Sequence, residues 1–343
     1  MTAGPDAITF AQTWMRSVER GPSSQFLVFE APDGTTISWT YAEFDELVGR
    51  CAALLNELHV RAGSAVSIAL TNSPAFVAIW IATVRLGAWL VPSDPMAAVP
   101  ELAEHIARTR PVIGFCAITR ADTYRAAAAD AHMHLVEVDE ADSTLAMFGE
   151  AVFGETACAE TVVGKSVCPP GDLAGWPTPA LTDRAAVMFT TGPTGVPDGV
   201  EITQADYAFA GATMAAASGL QPDDRQLVVL PLFRATAQFR SLASAIWVGA
   251  SVVLARKSTA FSTPRCVIGH SDAIRDEVPV ASVTRDPMSP PDLAALDLWR
   301  EERLTKATRQ RNVALVAQPP RPNVGTIRSF MLRDVGAESR VPR

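Results

Sequence analysis

Short apolar runs alternate with helix-forming stretches along much of this chain, and that rhythm restricts the fold more than any other feature. Ala65–Leu70 (AVSIAL), Trp89–Pro92 (WLVP), Pro111–Ala117 (PVIGFCA) and Leu135–Asp139 (LVEVD) are too short for buried helices and too uniformly apolar for surface strands. Helical patterns lie between them, one of them over about Val99 to Thr109. Parallel strands need long crossovers, and helices supply them, so the repetition predicts a parallel sheet covered on both faces. The crossovers are expected to be right-handed.

The opening elements are also legible. Phe10 and Trp14 stand four apart, the spacing that puts two side chains on one helix face. Phe26–Glu30 and Thr35–Trp39 flank Asp33-Gly34, which predicts a β-hairpin. Thr40-Tyr41-Ala42-Glu43 has the form of a capping box. The helix it opens places Phe44, Leu47, Cys51, Leu54, Leu55 and Leu58 on one apolar face. Thr71-Asn72-Ser73-Pro74 reads as another helix start, with proline in the first turn.

From about 140 to 180, breakers such as Pro169-Pro170-Gly171 predict a surface linker. The rhythm then resumes. A strand is expected at Ala185–Phe189, then a Gly/Thr-rich loop and a helix over Gln204 to Ser218. A buried strand at Leu227–Leu232, a helix at Thr236 to Val248 and a strand at Ala250–Ala255 follow. Beyond Ala260 prolines crowd in, and only Leu293 to Gln310 offers a helix. The chain therefore divides into 1–260 and a divergent tail, 261–343.

Composition excludes several classes. A net charge of -8 leaves no basic footprint for nucleic acid. Five scattered cysteines form no CxxC pair, which fits a reducing compartment, read here as cytoplasmic. The five histidines form no HExxH, so no metal site is expected. The start of the chain lacks the charged and apolar regions of a secretory signal. Pro74 to Pro92 is the most apolar segment, but Arg85 and Gly87 interrupt it. A buried helix followed by a buried strand is expected there, not a membrane span.

The loop after Ala185–Phe189 carries the functional argument. Phe189 to Val200 reads FTTGPTGVPDGV. Glycines let the backbone turn tightly, and hydroxyls and amides can converge there on an anion. The segment is not a Walker A motif, because GxxxxGK[ST] is unmet. A plain glycine-rich turn joining a strand to a helix has the same composition.

The segment resembles the phosphate-binding signature of the adenylate-forming superfamily, [YF]-T-S-G-[ST]-T-G-x-P-K-G-V. Thr190, Gly192, Thr194, Gly195, Pro197, Gly199 and Val200 match it, and Thr191 is a conservative match. Leu230-Pro231-Leu232-Phe233 is similar to a second landmark, LPLFH, and the element order from Phe10 to Ala260 is similar as well. The phrasing is most similar to carnitine-type or medium-chain acyl-CoA ligases. The resemblance implies the N-terminal part of that α/β fold, with mostly parallel sheets flanked by helices. It implies activation of a carboxylic acid by ATP to an acyl-adenylate, then transfer to CoA, with Mg²⁺ present. Thr190, Thr191, Gly192, Thr194, Gly195 and Gly199 would form the ATP site.

Departures from the family pattern are plain. Asp198 stands where the family has lysine, Pro193 replaces a hydroxyl residue, and Arg234 stands where histidine is usual. Two like charges about 5 Å apart repel by roughly 3 kcal/mol at an effective dielectric near 20, so Asp198 opposes a phosphate unless Mg²⁺ bridges the two. The family's aromatic-Gly-x-Thr-Glu and Tyr-x-[ST]-Gly-Asp motifs do not occur in this sequence. The resemblance therefore implies a truncated ligase of reduced activity, with no catalytic residue assigned. The alternative is a non-catalytic remnant that binds a nucleotide or an acyl group. The tail from Phe261 reads like translation out of frame in a GC-rich gene.

Overall fold

The computed structural model describes residues 8–30, 36–140, 152–154, 161–163, 178–190, 198–255, 265–272, 276–284 and 312–316. The chain divides into two compact units, Met1–Arg256 and Lys257–Arg343.

The first unit holds two sheets. The smaller has the order β11-β12-β1-β2, formed by β1 (Gln25–Glu30), β2 (Thr36–Thr40), β11 (Arg225–Val228) and β12 (Ser251–Ala255). β1 and β2 are antiparallel, as the hairpin pattern predicts, and the other neighbours are parallel. The turn at Asp33-Gly34 lies outside the described residues.

The larger sheet has eight strands. They are β3 (Ala65–Ala69), β4 (Trp89–Pro92), β5 (Ile113–Ala117), β6 (His134–Val138), β7 (Val152–Gly154), β8 (Thr161–Val163), β9 (Arg184–Thr190) and β10 (Asp198–Thr203). Their order is β10-β9-β4-β3-β5-β6-β8-β7, and all pairs between β9 and β8 are parallel.

Helices cover both faces of this sheet. α1 (Phe10–Arg20), α2 (Tyr41–Glu57), α3 (Pro74–Arg85), α6 (Gln204–Ser218) and α7 (Ser244–Val248) fill the space between the two sheets. α4 (Val99–Thr109) and α5 (Ala121–Ala127) lie on the other side of the larger one. Strand periodicity shows directly in β5. Ile113, Phe115 and Ala117 join the central core, whereas Cys116 joins the cluster under α4 and α5.

Local signals account for the helix starts. Thr40 accepts from the Glu43 amide at 3.2 Å, and Glu43 accepts from the Thr40 amide at 2.7 Å. The six apolar positions expected on the face of α2 are all buried. Ser73 caps α3 with Pro74 in the first turn. α3 ends at Leu86, and Gly87, at φ 68°, turns the chain into β4. The Pro74–Pro92 segment is thus a buried helix and strand. Among the described residues no helix is long and apolar enough to cross a membrane.

Four elements differ from the sequence reading. First, Asp198–Thr203 is a strand, β10, and not the end of a loop. Val200 and Ile202 alternate with Glu201 and Thr203 as in a strand, although only Ile202 is buried, and the glycine-rich run before them obscures the pattern. Second, β7 and β8 lie inside the expected linker, where the runs Val-Phe-Gly and Thr-Val-Val suit strands. Third, β11 spans only Arg225–Val228 at the sheet edge, and Leu227 and Leu230 are exposed. Fourth, the helix expected at Thr236 to Val248 begins as a π-helix over Ala237–Ala243 before α7.

In the second unit, β13 (Arg265–Asp272) pairs antiparallel with β14 (Asp276–Thr284), and β15 (Asn312–Val316) lies parallel to β14. Strands therefore persist beyond Ala260. Val278, Val280 and Val283 outweigh Pro279, which pairs with Gly269. The expected helix at Leu293 to Gln310 lies outside the described residues.

Candidate nucleotide site

β9 and β10 form an antiparallel hairpin at the edge of the larger sheet, and the glycine-rich loop joins them. Asp198 is in register with Thr190, Gly199 with Phe189 and Val200 with Met188. Of the expected site residues, the structure brings Thr190 and Gly199 together at the mouth of the hairpin. Thr191, Gly192, Thr194 and Gly195 lie outside the described residues.

The two faces of β9 differ. Ala186 and Met188 enter the central core, while Val187 and Phe189 turn toward α4. Thr190 is exposed, and its hydroxyl donates to the Asp198 carbonyl oxygen at 3.3 Å. A hydroxyl that rotates freely can turn to a phosphate oxygen instead. Asp198 is exposed on the same rung of the ladder as Thr190. The three threonine hydroxyls and the glycine amides of the segment suit an anion, and Asp198 suits a cation beside it. Among the described residues no group of three or more His, Cys, Asp or Glu could hold a metal ion. A divalent cation here would depend on phosphate oxygens for most of its ligands.

Gly199 has a packing reason. A Cβ built there would lie 3.1 Å from Val187 Cγ1 and 3.4 Å from Phe189 Cε1. Phe189 in turn stacks on His105, with ring centroids 4.0 Å apart and an interplanar angle of 8°. The Arg108 guanidinium lies 5.2 Å from the same ring centroid. Ser93 Oγ and His105 Nδ1 are 2.9 Å apart, and both residues are buried. Burial, helped by the Arg108 charge, lowers the His105 pKa to about 4, so the imidazole is neutral near pH 7. A cavity of about 160 Å³ lies beside this stack, lined by Trp89, Arg108, Arg184 and Val187 among others. That is below the roughly 300 Å³ at which ligand pockets begin, so it does not accommodate a nucleotide.

The second landmark is tied to the core by Asn72. Its Oδ1 accepts from the Leu232 amide at 2.7 Å, and its Nδ2 donates to the carbonyls of Leu230 and Ala255 at 3.0 and 3.1 Å. Gln238, fully buried in the π-helical turn, donates to the Leu232 carbonyl at 2.6 Å and accepts from the Tyr207 hydroxyl. Arg234 is exposed and lies against Phe233. No motif in the sequence marks His105, Ser93, Asn72 or Gln238 as part of this region.

A family model described as AMP-binding enzyme matches residues 14–275, most of the chain. The chain belongs to this family. It is 25% identical over 281 residues to the crotonobetaine/carnitine–CoA ligase of Proteus mirabilis, covering 81% of this chain and 53% of that protein. The chain thus spans about half the length of the curated relatives it matches. Among solved structures, a long-chain-fatty-acid–CoA ligase from Archaeoglobus fulgidus aligns with a TM-score of 0.60 at 18% identity, over 74% of this chain and 48% of that one. ATP-bound MatB from Rhodopseudomonas palustris aligns with a TM-score of 0.60 at 14% identity, over 96% of this chain and 99% of that one. At these identities the likeness to solved structures establishes the fold. It is that of the adenylate-forming enzymes, as the sequence resemblance implies.

Proposed function

We propose that this chain provides the triphosphate-gripping part of an AMP-forming acyl-CoA ligase acting in the cytoplasm. One observation carries the reading. The stretch that matches the family's phosphate signature is the connection of a β-hairpin, with the exposed Thr190 at its root, in a chain whose family match covers residues 14–275. Thr190, Thr191, Gly192, Thr194 and Gly195 hold the β- and γ-phosphates, and Gly199 keeps the base of the hairpin free of a side chain. A carboxylate oxygen of the acid attacks the α-phosphorus, the bond to the β-phosphate breaks, and pyrophosphate leaves. The CoA sulfur then attacks the acyl carbon, and AMP leaves. Amides and hydroxyls at the phosphates supply positioning and charge stabilisation. Mg²⁺ bound to the phosphates would offset the charge of Asp198.

The test is pyrophosphate release with ATP, Mg²⁺ and a panel of acids that includes carnitine-type and medium-chain carboxylates. Release that needs both ATP and one of the acids supports the ligase. Specific ATP binding without release supports the second reading, a nucleotide-binding protein without turnover. Asp198 favours that second reading, because it places a carboxylate where the family signature has an ammonium.

A further inference from the structure

The hairpin that carries the loop is held from the α4 side by a stack of three layers. His105 on α4 lies flat on Phe189 of β9, and Phe189 lies across the bare backbone of Gly199 on β10. Ser93, in the segment that joins β4 to α4, fixes the rotation of the imidazole through Nδ1. A neutral ring at this separation packs on the Phe189 face without the desolvation cost of a buried charge. Phe189 directly precedes Thr190, so any shift of that ring is passed to the residue that opens the loop.

We propose that His105 is a positioning residue for the loop. Its stacked imidazole, oriented by Ser93, clamps Phe189 against Gly199 and so sets the position of Thr190 at the loop's root. The proposal rests on the reading that this loop grips a triphosphate. It also assigns Gly199 a specific part, since a side chain there would press on Val187 and on the Phe189 ring that the clamp must hold.

Two measurements on the full chain separate the clamp from its purpose. The first is hydrogen–deuterium exchange without nucleotide, over the amides from Phe189 to Val200, in the wild type, His105→Ala, His105→Phe and Ser93→Ala. Loss of an aromatic stack is expected to speed exchange there by up to about tenfold in His105→Ala. His105→Phe keeps a flat ring but loses the Ser93 hydrogen bond, so it and Ser93→Ala should both lie between His105→Ala and the wild type. A purely structural role would speed exchange across α4 and β4 as much as at the hairpin. That outcome, or unchanged exchange in His105→Ala, overturns the clamp. If His105→Ala is too unstable to study, fast exchange confined to the hairpin in Ser93→Ala supports the proposal, and wild-type exchange in that variant overturns it. The second measurement is calorimetric titration with ATP. Weaker binding in His105→Ala, partly recovered in His105→Phe, supports the purpose assigned to the clamp. Absence of ATP binding by the wild type overturns the triphosphate reading and that purpose together, while the exchange result still reports on the clamp.

Discussion

The centre of the larger sheet and its β9–β10 edge are built on opposite terms. In β3, β4 and β5 every residue is buried, and Ser67, hydrogen-bonded to the Tyr124 hydroxyl, is the one polar side chain among them. In β10 four consecutive residues from Asp198 are exposed, and the strand pairs on one side only. The centre gains its stability from burial, at roughly 25 cal/mol per Å² of apolar surface. At the edge β9 is still anchored by Ala185 to Met188, but β10 buries only Ile202, and the polar groups at the loop face solvent. Substitutions at the centre should therefore change folding, and substitutions at the edge should change binding with little effect on folding.

Asn72→Ala should break this pattern most severely on the folding side. The residue is 4% exposed and makes three hydrogen bonds to backbone groups, which would be left unpaired. A loss of about 3 kcal/mol is expected from urea unfolding, in line with orphaning several buried polar groups. A loss below about 1 kcal/mol would mean that water replaces the missing partners.

His105 links the two regions and should reveal itself through pH. Its pKa falls from 6.5 to about 4 in the folded chain, through burial and then the charge of Arg108. The unfolded chain therefore binds a proton between those values and the folded chain does not. The sign follows from linkage: the neutral imidazole's contribution is fully present above about pH 6.5 and fades as pH falls toward 4, by at most about 3 kcal/mol. Stability curves of the wild type and His105→Phe at pH 4.5 to 7.5 should diverge in that window. Parallel curves would show that the imidazole is not shielded as the structure has it.

Gly211→Ala tests the packing of the helical layer. A Cβ there would come within 2.7 Å of the Ala243 carbonyl oxygen, so α6 must move off its neighbour. A cost of about 1–3 kcal/mol is expected, read as a lower thermal midpoint. Asp198→Lys lies at the other extreme. Unfolding free energy should stay within about 0.5 kcal/mol of the wild type, as for an exposed site. ATP affinity, measured by titration, should rise by about tenfold as a repulsive charge becomes attractive. A stability change without an affinity change would invert the comparison.

The same contrast explains what could be read from the sequence. Periodicity and caps made β3, β4, β5, α2 and α3 legible, because burial on two faces writes long apolar runs. The edge writes weaker signals. β10 looked like loop because Asp198-Gly199 continues a glycine-rich run, and Leu227 in β11 looked buried although an edge strand leaves it open. The π-helical turn around Gln238 has no local signature, since tertiary hydrogen bonds to Leu232 and Tyr207 accompany it. At the site, the signature named Thr190 and Gly199. The stack of His105 on Phe189 depends on α4 meeting β9, a contact between residues far apart in sequence that no local pattern encodes.

Calorimetric titration of the full chain with ATP and with AMP, each with Mg²⁺, tests the central claim most directly. A loop that grips the triphosphate should bind ATP at least about tenfold more tightly than AMP, the ratio expected from one or two charge-assisted contacts, and Thr190→Ala should narrow that gap. Equal affinities for ATP and AMP, or binding of neither, would contradict it.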